Sequence, residues 1–370
     1  MNATKAHLIN LLKHADVAVN GSRPWDLHVH DERVFERTLT HGSLGFGESY
    51  MDGWWDCDAI DEMLTRVFHS DMDSQVRNWR TLLIVLGARL RNAQRKSKAF
   101  EIGERHYDVG NELYQAMLDP RMTYTCGYWK DATTLAQAQE AKLDLVCQKI
   151  GLKPGMRVLD IGCGWGSFAI FAAQRYGVKV VGVTVSREQV ALARERAGGL
   201  PVEFLLQDYR DVQGPFDAIV SLGMFEHVGY KNYRTYMQTV HRLLPEHGLF
   251  LLHTIGGNRS VQATDPWIER YIFPNSMLPS IKQIGDSIEG LFVMEDWHNF
   301  GPDYDKTLQQ WYANIERAWA ELGDRYDERF QRMWRFYLLS SAATFRARRN
   351  QLWQVVLSKG GLPQGYASIR

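Results

Sequence analysis

The run Arg157-Val-Leu-Asp-Ile-Gly-Cys-Gly-Trp-Gly-Ser-Phe168 decides the fold. It opens as an apolar strand, and Ser167 begins a segment of helical spacing that ends at Gly177. Gly162, Gly164 and Gly166 stand at the turn between the two. Glycines there permit a tight bend and a close approach of backbone to a ligand, and the helix start offers free N–H groups. Working outward, residues 178–185 read as a second strand and 186–199 as a second helix. Further strands follow at 202–207, 216–223 and 249–256, with a helix at 232–244 before the last. This alternation predicts an α/β fold with a doubly wound, mostly parallel sheet, whose ligand lies at the carboxyl ends of the strands. Segments 308–322 and 329–339 read as helices, and 352–358 as a strand that completes the sheet.

At 370 residues the chain exceeds one ordinary core, so a second, smaller domain is expected. The first hundred residues are not Rossmann-like, and they read as a smaller N-terminal mixed domain. Within them residues 41–58, HGSLGFGESYMDGWWDCD, read as turns and short extended segments. The division expected is 1–100 for the N-terminal domain, 101–130 for a linker that covers the ligand, and 131–370 for the catalytic domain. Lys plus Arg and Asp plus Glu both total 43, so no global field draws the chain to nucleic acid. From Trp79 to Arg95 leucines gather on one side and arginines toward the end, with Lys96 and Lys98 beyond. That stretch is either a solvated helix end or a membrane-surface helix.

Cys57, Cys126, Cys147 and Cys163 are widely spaced and form no C-x-x-C pair, which points to a reducing compartment. His28 and His30 alternate, but no third ligand is evident, and no metal is expected. Residues 1–19 lack the apolar core of a signal peptide, and the longest apolar run, Leu82 to Ala88, falls far short of the roughly 20 residues of a membrane span. A cytoplasmic protein is expected.

The loop spacing is G-x-G-x-G, not the dinucleotide G-x-G-x-x-G, and it fits the loop of methyltransferases that bind S-adenosylmethionine. Asp160 either contacts the ligand's amino group or the loop amides, or merely caps the turn at the strand end. The ribose-binding acid normally found after the second strand is missing, which leaves Thr184 or Gln189 to meet the ribose hydroxyls. Asp208 can accept from the adenine amino group and Tyr209 can pack on the ring; otherwise Asp208 and Asp211 are ordinary loop acids.

With these residues in place, the chain closely resembles the cyclopropane fatty acyl phospholipid synthases, relatives of the mycolic acid cyclopropane synthases. The resemblance runs through ERHYDVGNELY (104–114), TYTCGYW (123–129), DIGCGWG (160–166), GMFEHVG (223–229), LFLLHTIG (249–256), DPWIERYIFPN (265–275), MEDWHNFGPDYDKTL (294–308) and FRARRNQLWQVV (345–356), most of the chain. It implies a Rossmann-like S-adenosylmethionine-dependent methyltransferase fold. The implied reaction moves the sulfonium methyl carbon to the cis double bond of a phospholipid acyl chain, giving a cyclopropane ring through a carbocation. Tyr124 and Thr125 match the family's Tyr-Ser pair at the cofactor, with Thr125 keeping the hydroxyl.

The family's base is a bound bicarbonate, and Cys126, Glu226, His253, Ile255 and Tyr304 match its pocket. Taken singly, Cys126 reads as a small buried hydrophobe, His253 as a core histidine and Glu226 as a helix cap. His298 either lines the pocket or is structural. The resemblance also implies a homodimer that docks peripherally on the inner face of a phospholipid bilayer through residues 1–100. Two other readings stay open: a methyltransferase for a lipid headgroup or small molecule, and a non-catalytic membrane-binding sensor.

Overall fold

The structure, a computed structural model, describes residues 3–70 and 110–370. The basic stretch Trp79–Arg95, with Lys96 and Lys98, and most of the ERHYDVG motif lie outside the described residues. The chain divides into two compact units, each assembled from non-contiguous segments: Met1–Arg91, Gln262–Pro274 and Tyr304–Asn350 form the first, and Asn92–Val261, Asn275–Asp303 and Gln351–Arg370 the second.

The first unit is mostly helical. It contains helices Ala3–His14, Arg33–His41, Ser43–Met51 and Ile60–His69, a short antiparallel ribbon of β1 (His28–Val29) and β2 (Trp55–Asp56), helix Pro266–Tyr271, most of Pro302–Leu322, and Glu328–Arg346. The glycine-rich run at 41–58 corrects the sequence reading: Ser43–Met51 is a helix, not a set of turns. Glycine is a poor helix former, and tertiary packing supplies the reason for its presence. A Cβ on Gly47 would stand 2.5 Å from the Trp267 indole, and one on Gly45 would stand 2.3 Å from the Arg37 carbonyl oxygen. These glycines let neighbouring elements approach.

Gly47→Ala sets two effects against each other. Alanine gains about 1 kcal/mol in helix propensity, whereas pressing a methyl into the buried Trp267 ring costs about 1–3 kcal/mol. The clash should win, so a urea titration should show a lowered midpoint; a raised one would mean that the ring yields.

The second unit carries β3 (Arg157–Ile161), β4 (Lys179–Thr184), β5 (Val202–Leu206), β6 (Ala218–Leu222), β7 (Leu249–Gly257), β8 (Val293–Asn299) and β9 (Asn350–Ser358), in the order β5-β4-β3-β6-β7-β9-β8. Strands β5, β4, β3, β6 and β7 are paired in parallel, and β8 runs antiparallel to β9. This is the doubly wound sheet that the alternating pattern predicts.

Successive residues of a strand point to opposite faces, and here both faces are buried. Leu159, Ile219, Phe250 and Leu252 join Tyr236, Met237 and Val240 on one side. Val158, Ala218, Val220 and Leu251 join Leu143, Val146, Phe168 and Phe171 on the other. The strand order reverses between β3 and β6, and the crevice outside their carboxyl ends is where a ligand belongs in this architecture.

Candidate active site

A cavity opens at that reversal, with about 1100 Å3 of empty space including its mouth. It is lined by the glycine turn, the ends of β4 and β6, and the covering segment 122–125. The amides of Gly162 and Cys163 both donate to the Val183 carbonyl, at 2.9 and 3.1 Å, which ties the turn to β4. A Cβ on Gly162 would strike Met224 and one on Gly166 would strike the Phe204 ring, whereas one on Gly164 meets nothing within 4 Å. Gly164 therefore presents bare backbone to open space.

The covering segment is held from below. Lys142 Nζ donates to Thr125 Oγ1 at 2.6 Å, and Gln139 Nε2 donates to the Thr125 carbonyl at 2.7 Å. Both come from the helix Leu135–Lys149, whose start is fixed by a capping box between Thr134 and Gln137. Tyr124 lines the cavity, its ring 5.2 Å from that of Tyr114. Asp160 is buried at the end of β3, and its Oδ2 has no hydrogen-bond partner among the described residues. Burial pushes the Asp160 carboxyl up and the Lys142 ammonium down, and their mutual attraction opposes both shifts. Sequence reasoning missed Lys142; a lysine in the middle of a helix carries no signal of its burial.

Thr184 and Gln189 line the cavity and are bonded to each other, the threonine hydroxyl donating to Gln189 Oε1 at 2.9 Å. Tyr209 also lines it, with its phenol pushed up to about 12 by burial. Asp208 is held elsewhere. Its two oxygens accept from Arg210 Nε and Nη2 at 2.8 and 2.6 Å, it caps the short turn 209–211, and it is not among the cavity residues. The preceding residue, Gln207, lines the cavity instead. Asp208 is buried and stands outside the cavity lining, which sets it apart from the residues that could meet an adenine.

Beyond the cavity, β7 and the turn after β6 carry three of the five expected anion-pocket residues. Glu226 is buried, and its Oε1 accepts from the Ile255 amide at 2.6 Å. The Ile255 N–H is thereby committed to Glu226. His253, two residues earlier on the same strand, shares a face with Ile255, and its Nδ1 lies 3.3 Å from Gln354 Nε2. Glu226 Oε2 and His253 Nε2 have no partner among the described residues.

Burial raises the Glu226 carboxyl to about 7, with the Ile255 bond opposing, and burial together with the charges of Lys142 and Lys149 keeps His253 neutral. Buried polar atoms are almost always satisfied, so the open imidazole nitrogen and carboxyl oxygen are groups that a small oxyanion such as bicarbonate would fit. Cys126 is fully buried, its Sγ donating to the Gly127 carbonyl, and its thiol is one of the groups Lys142 faces electrostatically.

Because the folded carboxyl of Glu226 titrates above its unfolded value, the stability tied to its neutral form is complete below about pH 4.5 and is lost as pH rises through about 7. Glu226→Gln removes that titration. Between pH 6 and 8 the wild-type urea midpoint should fall relative to the variant's; parallel curves would place the carboxyl at an ordinary value.

Residues 94–355 match the family described as mycolic acid cyclopropane synthetase. The chain belongs to this family. It is 55% identical, over 95% of its length and 92% of the other's, to the cyclopropane-fatty-acyl-phospholipid synthase of Escherichia coli strain K12. Among solved structures it resembles the cyclopropane synthase MmaA2 from Mycobacterium tuberculosis, with a TM-score of 0.67 and 32% identity over 70% of this chain and 98% of that one. It also resembles the mycolic acid cyclopropane synthase CmaA1 complexed with SAH and CTAB, with a TM-score of 0.64 and 34% identity over 70% of this chain and 98% of that one. The fold is that of S-adenosylmethionine-dependent methyltransferases.

Within this cyclopropane synthetase family member, Tyr304 lies in the first turn of the helix Pro302–Leu322, buried against Phe345 and Trp311 at ring distances of 4.6 and 5.9 Å. His298 is not a cavity residue. Its Nδ1 stands 3.0 Å from Lys149 Nζ, and Lys149 also pairs with Asp296, which Arg370 clamps. His30 bonds Asp56, and no cluster of metal-ligating side chains occurs among the described residues.

Proposed function

We propose that the chain is a cyclopropane-fatty-acyl-phospholipid synthase. It transfers the sulfonium methyl carbon of S-adenosylmethionine to a cis double bond in a phospholipid acyl chain. The S–C bond breaks with its electron pair going to sulfur, both alkene carbons bond to the transferred carbon, and one proton leaves as the ring closes. The products are the cyclopropane, S-adenosylhomocysteine and the proton, for which a bicarbonate, when bound, would supply the base.

Gly162, Gly164 and Gly166 bend the backbone around the cofactor. Tyr124, Thr125, Asp160, Thr184, Gln189 and Tyr209 surround it. A bare alkene is a weak nucleophile, so alignment of the methyl with the π bond supplies much of the acceleration. Cys126, Glu226 and His253 would hold the bicarbonate, the Ile255 amide orienting Glu226, and Tyr304 is the fifth residue that the resemblance implies. The observation that carries this reading is the pair of open buried atoms, Glu226 Oε2 and His253 Nε2, at the strand ends. Simple methylation of a headgroup nitrogen or oxygen needs no such base pocket.

The alkene lies inside a bilayer, so the protein must dock on it. No helix among the described residues is long and apolar enough to cross a membrane. Residues 1–100 provide the docking, their basic stretch drawing the protein to anionic lipid on the inner face of the membrane, and a homodimer doubles the contact through avidity. The full chain should float with anionic vesicles at low salt and sediment as a dimer.

The deciding experiment incubates the purified protein with labelled S-adenosylmethionine and vesicles of cis-unsaturated phospholipid, followed by mass analysis of the acyl chains. A gain of one CH2 with loss of the olefin is expected. Labelled headgroup over an intact olefin would make the chain an ordinary methyltransferase, and cofactor binding without turnover would make it a sensor.

A further inference from the structure

Beside His253 lies a residue outside the set of five that the resemblance implies. Gln354 is fully buried on β9, the strand that lies between β7 and β8. Its Nε2 is 3.3 Å from His253 Nδ1. With the amide nitrogen turned to the ring it donates and Nδ1 accepts, and Gln354 Oε1 is then left without a partner among the described residues. The imidazole is fully buried, and burial, with the charges of Lys142 and Lys149 adding to it, disfavours a second proton on the ring. A neutral imidazole that accepts at Nδ1 carries its hydrogen at Nε2. That Nε2 is the buried atom without a partner among the described residues.

We propose that Gln354 is a positioning residue that fixes His253 in the tautomer protonated at Nε2, so that the histidine turns a hydrogen-bond donor toward the anion site. The inference rests on the anion pocket proposed above. Its chemistry is specific: an Nε2–H group stabilises an oxyanion, whereas the opposite tautomer would set a lone pair against the anion's lone pairs. Phe300, with its ring 6.0 Å from His253, adds an apolar wall and offers the imidazole no alternative hydrogen bond.

The test is nitrogen NMR on the full chain labelled with 15N in its histidine rings, with the His253 signals assigned by their loss in His253→Gln. In the wild type at pH 7.5 we expect Nε2 to show the protonated signature and Nδ1 the bare one. Gln354→Glu places an acceptor beside Nδ1 and should interchange the two signatures. Gln354→Met removes the bond and should give a mixture.

Both variants should lose on the order of 10-fold to 100-fold in kcat, the range typical of groups that orient a histidine through its second nitrogen, with KM for S-adenosylmethionine unchanged. A wild-type His253 protonated at Nδ1 overturns the proposal without any variant. So does a loss of activity in Gln354→Glu with the wild-type ring signature intact, which would make the residue mere packing. The anion reading fails separately: it falls if wild-type turnover is indifferent to the removal of bicarbonate, a result the ring signature does not depend on.

Discussion

Gly164→Val is expected to lower affinity for S-adenosylmethionine by at least about 100-fold, the equivalent of roughly 2.7 kcal/mol, while the protein still folds. Gly164 has a φ of +53°, where a side chain with a Cβ costs roughly 1–2 kcal/mol, more for a branched one. That strain is tolerable in a two-unit chain with two extensive cores. The larger effect is steric: nothing in the protein lies within 4 Å of a Cβ built there, and the residue lines the cavity, so valine fills the volume that the ligand's polar backbone contacts require.

Titration calorimetry on the folded variant measures the loss, with Gly164→Ala intermediate. The neighbouring glycines provide the contrast. Gly162→Val and Gly166→Val would collide with Met224 and Phe204, so their first effect should be on stability. Retained affinity in Gly164→Val would place the cofactor elsewhere.

Glu226→Gln is expected to reduce kcat by about 100-fold or more, the scale of a lost acid-base group, with S-adenosylmethionine affinity changed less than about threefold, or 0.65 kcal/mol. Glutamine keeps the size of the side chain, and its carbonyl can still accept from the Ile255 amide at the 2.6 Å position. What it cannot do is take up and release a proton at the second oxygen, which in the wild type is open and titrates near neutrality. Rapid-quench measurement of ring formation beside calorimetric cofactor binding separates the two quantities. Equal losses in both would make Glu226 a structural residue, a plug between β7 and the turn after β6.

These two predictions draw differently on the sequence. The glycine turn, the parallel strands and the order of the motifs were legible because their signals are local: strand periodicity, a strand-to-helix break and residues of special φ. Sequence alone also placed Glu226 and His253 at strand ends, through a family resemblance that the similarity to known synthases supports.

Other features depended on partners distant along the chain. The 41–58 run reads as turns until Trp267 and Phe336 are seen to need the space that its glycines leave. Asp208 reads as a ligand contact until it is seen buried outside the cavity, paired with Arg210 and capping the turn 209–211. Lys142 and Gln354 carry no mark in the sequence at all. An ordinary lysine in an amphipathic stretch and a glutamine in an apolar strand became site residues because the helix Leu135–Lys149 and β9 bring them beside Thr125 and His253. The chemistry of the binding loop was written in neighbouring residues, whereas the charge and tautomer of the groups around it are set by burial and by long-range contacts, which only the tertiary structure supplies.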